Sequence, residues 1–169
     1  MPAPLIHLIC GSTGAGKTTY ALRLSEEIDA ARFSIDEWMS ALFWMDSPQP
    51  IDPAWTMPRI ERCAALIWRT AVDVAKRGMP CVLELGLTTR AVRARYAALA
   101  RTEDLPVRLH FLDVPPEERW RRVAARNHRP DPTAQLDFRI SRAMFDYVEA
   151  MWEPPTPEEM AAYDGVRIG

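Results

Sequence analysis

The sequence predicts an α/β domain built on a mainly parallel sheet. Two observations predict it. Short apolar runs, suited to strands buried on both faces, alternate along the chain with stretches whose apolar residues recur at helical spacing. The first of these runs passes at once into "GSTGAGKTT", residues 11–19, a glycine-rich turn that opens a helix. The chain has 169 residues, enough for one domain (1–169) with a sizeable core and too few for two ordinary ones.

The elements follow in order. "LIHLICG" (5–11) is a nearly continuous apolar run and makes the first strand. From Lys17 to about Ile28 the residues Tyr20, Ala21, Leu24 and Ile28 mark one helical face. "ARFSID" (31–36) is a second strand that ends in an acid, followed by a short helix over "EWMSALFWM" and a proline-rich loop, 46–55. Ile60, Cys63, Ala64, Ile67, Ala71, Val74 and Ala75 form a long helical stripe that "RGMP" stops. "CVLELG" (81–86) is the third strand, 89–101 a helix, and "VRLHFLDV" (107–114) the fourth strand. "PPEERWRRVAARN" opens with prolines and then acids, as a helix N-terminus does. "HRPDPT" breaks that helix, another covers about 133–152, and "GVRIG" makes a short fifth strand.

Apolar residues make up 48% of the chain and charged ones 26%, the balance of a soluble globular protein. A net charge of −2 supplies no basic field and argues against nucleic acid or a membrane surface as partner. The N-terminus lacks the charged lead and apolar core of a signal peptide, and no run is long enough to span a bilayer. Cys10, Cys63 and Cys81 are odd in number and lie in apolar contexts, as expected of reduced, buried thiols in a cytoplasmic protein.

Gly11, Gly16, Lys17 and Thr18 satisfy G-x-x-x-x-G-K-[ST] after a strand and at the start of a helix. Glycines let Gly11, Ser12, Thr13, Gly14, Ala15 and Gly16 turn their backbone N–H groups toward a phosphate, and the helix adds the positive end of its dipole. There are only two lysines, Lys17 and Lys76, in the chain's total of 21 Lys and Arg. A lysine within this turn provides a compact cation able to reach the β- and γ-phosphates. The Thr18 hydroxyl suits a Mg²⁺ ligand, and Ser12 and Thr19 either contact phosphate or cap the helix. An accidental glycine-rich turn is the alternative.

Three acids lie in or at the ends of strands, where open α/β sheets bind ligands. Asp36 is the candidate general base for a substrate hydroxyl, with a helix cap as its other role. Glu84 either holds Mg²⁺, directly or through water, or is a buried acid paired with an arginine. Asp113 suits a cap for the following helix.

Arg119, Arg122 and Arg126 fall at i, i+3 and i+7 on one helical face, with Arg129 in the break beyond. A lid over about 119–133 would close these cations on a nucleotide; an ion-paired solvated helix is the alternative. Arg122 and Arg126 are the favoured pair. Thr88, Thr89 and Arg90 follow the third strand and are placed to meet an acceptor, whereas Arg95 suits an ordinary surface. Trp38, Phe43, Trp44 and Trp55 surround the proline-rich loop, as a pocket wall or as plain core. His7 and His110 lie within strands as hydrogen-bonded core residues, and His128 lies exposed. No Asn-Lys-x-Asp appears for guanine, so ATP is the expected nucleotide.

Together "GSTGAGKTT", "FSIDEW", "CVLELGLTTRAVR" and "LDVPPEERWRRVAARN" resemble the small P-loop kinases of the AAA-domain, zeta-toxin, chloramphenicol-phosphotransferase and polynucleotide-kinase type, over residues 5 to 152. The resemblance implies a three-layer P-loop NTPase fold with sheet order 2-3-1-4-5, Mg·ATP, and phosphoryl transfer to a hydroxyl. It gives Lys17 and Thr18 phosphate and metal roles, Asp36 the activation of the acceptor, and Arg122 and Arg126 the lid. Position 84 is Glu where relatives often carry Asp, and the last strand is short. The expected activity is an ATP-dependent kinase for a small-molecule or nucleotide-like acceptor. A polynucleotide 5′-hydroxyl kinase and a non-catalytic ATP-binding switch are the alternatives.

Overall fold

The computed structural model describes residues 5–128 and 139–169. Five strands, β1 (Ile6–Cys10), β2 (Ala31–Ser34), β3 (Cys81–Glu84), β4 (Val107–Leu112) and β5 (Val166–Ile168), form one sheet in the order β2-β3-β1-β4-β5. Every pairing is parallel, so the sheet is parallel throughout.

Alternation along the strands separates two cores. Ile6, Leu8, Cys10, Cys81, Leu83, Leu109 and Phe111 point to one face and pack on α3 (Pro53–Ala75) and α4 (Arg90–Thr102). Ile9, Val82 and Leu112 point to the other and pack on Ala21 and Leu24 of α1 (Lys17–Glu27). Helices thus cover both faces, the three-layer arrangement a parallel sheet requires. A third, smaller cluster joins Val123 of α5 (Pro116–His128) to Ile140 and to Phe145 of α6 (Arg142–Met151).

The register aligns the carboxyl ends of the strands. Ser34 pairs with Glu84, and Cys10, the residue before the glycine-rich turn, pairs with Phe111. That edge carries the site.

Several expected boundaries move. β2 ends at Ser34, because the Ser34 hydroxyl caps α2 (Ile35–Phe43) by accepting from the Glu37 N–H at 3.4 Å. The proline-rich loop is shorter than expected. α3 begins at Pro53, with Asp52 capping the Ala54 N–H at 2.9 Å, and contains Pro58. An N-cap acid followed by proline is a helix start, which the surrounding prolines mask in the sequence. A short helix, α7 (Pro157–Ala162), was not expected; Thr156 and Glu159 close a capping box at its start. The expected helix over 133–152 is described from Arg142, its earlier residues lying outside the described ones. Among the described residues no helix is long and apolar enough to cross a membrane.

His7 and His110 sit side by side on β1 and β4. His7 Nδ1 and His110 Nε2 are 2.8 Å apart, and the Tyr20 hydroxyl is 2.7 Å from His110 Nδ1. Burial, reinforced at His110 by its neighbour His7, pushes both imidazoles down to about 4. Their folded pKa lies below the ordinary 6.5, so the unfolded chain binds more protons between those values and stability is lost as pH falls from about 6.5 toward 4. Each ring accounts for about 2 kcal/mol between pH 7 and 4.5. Urea titrations across that range are expected to show this slope, and His7→Asn with His110→Asn to flatten it. An unchanged slope in the double variant refutes the assignment.

Candidate functional site

The glycine-rich turn, residues 11–16, joins β1 to α1 and reverses the chain over the sheet edge. Gly14 and Gly16 take φ of +80° and +89°, values that disfavour any side chain. Gly14 is also pressed against α5: a Cβ there would stand 2.6 Å from the Arg119 carbonyl oxygen and 2.9 Å from Val123 Cγ2. Gly16 has open space, its nearest neighbour being Arg122 Nη1 at 3.8 Å.

Cations occupy the loop's carbonyls. Lys17 Nζ donates to Ser12 O at 3.2 Å, Arg119 Nη1 to Thr13 O at 3.3 Å, and Arg122 Nη1 to Ala15 O at 3.4 Å. Ala15 N–H closes the turn on Ser12 O at 3.2 Å. Desolvation pulls the Lys17 ammonium below its ordinary pKa, while Asp36 and Glu84 oppose it and Arg119 adds to it. Thr19 lies exposed in the first turn of α1.

Behind Lys17, the Thr18 hydroxyl donates to Glu84 Oε1 at 3.1 Å. Glu84 is the last residue of β3, buried, and its other oxygen accepts from Arg32 Nη1, which also pairs with Glu37. Burial raises the Glu84 carboxyl, with Arg32 as the chief opposing partner and then Thr18. The arginine pairing expected for Glu84 is present, and its other carboxylate oxygen meets the Thr18 hydroxyl. One hydroxyl and one carboxylate fit a Mg²⁺ that takes its remaining ligands from phosphate and water. Among the described residues no cluster of three or more His, Cys, Asp or Glu forms a protein-only metal cage.

Asp36 sits in the first turn of α2, not at a strand end, and the cap expected of it belongs to Ser34. Its carboxylate opens to solvent but is hemmed in by protein, which pushes its pKa up; Lys17 pulls it down and Glu37 adds to the rise. Lys17 and Asp36 thus act on one another electrostatically.

Trp38 packs edge-on to Phe33, with ring centroids 6.5 Å apart, against the larger core. Phe43 and Trp55 meet at right angles, and the Arg59 guanidinium lies 3.9 Å over the Trp55 ring. Thr88 lies in the segment after β3, Thr89 caps α4, and Arg90 is exposed at its first position. Glu153 ties that segment down, accepting from Arg90 N–H at 2.7 Å and donating its own N–H to Thr88 O at 3.0 Å. Below it, the fully buried Arg93 donates to Leu87 O and pairs with Glu159 at 2.9 Å.

The three arginines of α5 differ in fate. Arg119 is buried, donating to Val114 O at 2.8 Å and to Glu149 Oε1 at 2.7 Å. Arg122 is exposed beside the loop and pairs with Glu118; Arg126 is exposed with no ion pair among the described residues. Arg129 and residues 129–133 of the expected lid lie outside the described residues. The Ser12 hydroxyl donates to Glu149 Oε2 at 3.0 Å. Asp113 is not a helix cap but accepts from Arg167 Nε of β5 at 2.6 Å.

The sequence pointed to the loop, Asp36 and Glu84, and missed Arg32, Glu149, Glu153 and Glu159. Arg93 lies among several arginines after the third strand, and nothing local in the sequence marks it as the buried one. The available signal was charge: arginine inside an apolar strand or helix face needs a carboxylate elsewhere.

The two glycines differ in what surrounds them. Gly14→Ala meets backbone atoms at clash distance in addition to the unfavourable φ, so it is expected to cost more than 2 kcal/mol, against about 1 kcal/mol for Gly16→Ala. Chemical denaturation of both variants measures the difference; equal losses refute the close packing of α5 on Gly14.

The model of the AAA domain family matches residues 6–151. A candidate kinase from Chloroflexus aurantiacus superposes with a TM-score of 0.75 at 16% identity, over 98% of this chain and 88% of that one. Kti12 of Chaetomium thermophilum in complex with ADP-AlF3 gives 0.70 at 16% identity, over 98% and 89%. A sugar kinase from Janibacter sp. gives 0.62 at 16% identity, over 99% and 85%. At this identity the likeness is one of fold. A search of curated proteins finds no match. With five parallel strands in the order β2-β3-β1-β4-β5, a glycine loop opening α1, and a family match across most of its length, the chain belongs to the AAA domain family and has the fold of the small P-loop kinases.

Proposed function

We propose that this chain is an ATP-dependent kinase that transfers the γ-phosphoryl group to a hydroxyl of a small-molecule acceptor. One observation supports the reading: the Lys17 ammonium of the glycine loop and the exposed Asp36 carboxylate act on one another electrostatically, and Glu84, which accepts from the Thr18 hydroxyl at 3.1 Å, acts on the same ammonium. A phosphate site alone needs no such carboxylate; a transferase does.

The loop amides and Lys17 hold the β- and γ-phosphates, and Arg122 and Arg126 approach from α5. Thr18, and Glu84 directly or through water, would hold Mg²⁺, which would supply charge neutralisation on the phosphates. Asp36 orients the acceptor hydroxyl and takes its proton as the new O–P bond forms and the bond to the leaving ADP breaks. Its raised pKa makes it a better base than a free aspartate. Thr88 and Arg90, on the segment after β3, are the proposed acceptor contacts. The sugar kinase and a gluconokinase from Sinorhizobium meliloti among the similar structures support a small hydroxylated acceptor.

Lys17→Ala is expected to lower turnover by roughly 10² or more, and Asp36→Asn to keep ATP binding while losing transfer. Calorimetry with Mg·ATP, followed by an ADP-release screen over polyols and sugar acids, tests both. Wild-type turnover in Lys17→Ala, or ATP binding with no acceptor-stimulated ADP release across the panel, rejects the kinase assignment. The latter result returns the nucleotide switch.

A further inference from the structure

Three of the loop's first residues are fixed from outside. Ser12 gives its hydroxyl to Glu149, Thr13 gives its carbonyl to Arg119, and Gly14 lies in contact with the Arg119 backbone. Arg119 and Glu149 are joined to each other at 2.7 Å. One carboxylate on α6 therefore holds two separate points of the loop, its Oε2 directly and its Oε1 through Arg119. α5 ends at His128 and α6 begins at Arg142, so the carboxylate comes from the element that follows residues 129–141. No other described side chain outside the loop and α5 takes the Ser12 hydroxyl or the Arg119 Nη2.

We infer that Glu149 is a positioning residue for nucleotide binding: it holds the outer limb of the glycine loop in its phosphate-accepting shape through Ser12 and Arg119, and so links the placement of α6 to nucleotide affinity. The inference rests on the proposed phosphate role of the loop. Its physical basis is entropic. A loop with two glycines at positive φ is free to collapse, and each anchor removes part of the ordering cost that nucleotide binding would otherwise meet. Arg119 suits the task because its rigid fork donates to Val114 O, Thr13 O and Glu149 at once, which a lysine cannot do. Arg119, the largest influence, and Ser12 hold the Glu149 carboxyl below its usual range, so the anchor stays anionic near neutrality. The contact is not part of a closed core. The Glu149 side chain is 29% exposed and, with Ser12, Arg119, Phe111 and Trp152, lines an open cleft of about 320 Å³. Substitution there leaves no buried void, so an effect on the loop is separable from collapse of the fold.

Glu149→Gln keeps an acceptor for Ser12 but removes the charge that holds Arg119; Glu149→Ala removes both contacts. In hydrogen exchange of the full chain without nucleotide, amides 12–16 are expected to exchange about tenfold faster in Glu149→Ala and to a lesser degree in Glu149→Gln, with those of β1 and β3 unchanged. Calorimetry is expected to show ADP and ATP weakened about tenfold, with kcat at saturating nucleotide little altered. Ser12→Ala, which cuts a single hydroxyl contact, is expected to move the same amides in the same direction and provides the test should the Glu149 variants fail to fold. Unchanged exchange at 12–16, or faster exchange spread evenly over the sheet, overturns the inference. Local loosening with nucleotide affinity held within twofold of wild type overturns it as well. Failure of the wild-type chain to bind nucleotide would instead remove the phosphate role of the loop, while the exchange measurement still decides whether Glu149 holds it.

Discussion

The contact on which the site depends is the approach of α5 to the backbone of Gly14. A methyl group at Gly14 would lie 2.6 Å from the Arg119 carbonyl, so the loop and the first turn of α5 occupy their places only as a pair. From that contact follow the reach of Arg119 to Thr13 O and of Arg122 to Ala15 O. With Lys17 on Ser12 O, the loop's carbonyls face cations. The Ala15 N–H is spent on Ser12 O within the turn, so on the proposed reading the remaining loop N–H groups are the donors to an anion. Close backbone packing thus sets the polarity of the loop before any ligand arrives.

The strong preference for arginine has a structural counterpart. Three arginines, buried or half-buried, each answer a carboxylate from an element distant in sequence: Arg32 with Glu84, Arg93 with Glu159, Arg119 with Glu149. In each case the guanidinium has at least two partners, and among the described residues no buried side-chain nitrogen or oxygen is left without one. Buried pairs contribute little net stability once desolvation is counted, but breaking one is costly because it strands a charge. Their effect is to fix the relative placement of segments that packing alone would leave adjustable. All three join one element to another, β2 to β3, α4 to α7 and α5 to α6.

This explains what was legible in the sequence. Apolar runs and helical stripes depend on near neighbours, so β1, β3, β4, α1 and the body of α3 could be read directly. The glycine loop was legible because its chemistry is contained in nine consecutive residues. Asp36 and Glu84 were found because strand ends are the expected ligand edge, although Asp36 proved to lie on α2, since Ser34 captured the cap and ended the strand two residues early. Arg119 was underrated for the opposite reason. Three arginines on one helical face look equivalent in sequence, and only the position of Glu149, 30 residues on, separates a buried anchor from two exposed cations. α7 drew no reading from the sequence, because six residues are too few to show a helical stripe; Pro157 occupies the one helical turn that tolerates it.

On the proposed function, the electrostatics around the glycine loop suit a bound polyphosphate. Lys17 is held below its ordinary pKa chiefly by desolvation, and Asp36 and Glu84 are both raised by the same cause. Each of these groups is therefore less comfortable in its charged form than it would be in water. A phosphate tail arriving at the loop gives Lys17 the counter-charge that desolvation has made valuable, and a divalent cation arriving beside Thr18 does the same for Glu84. Asp36 gains no such partner, because it faces the open side of the cleft. Binding would then relieve the lysine and the buried glutamate while leaving one elevated carboxylate available to take a proton. The separation arises from position alone: Glu84 ends a central strand and is sealed by Arg32, while Asp36, two residues past the end of its own strand, is turned outward by the first turn of a helix.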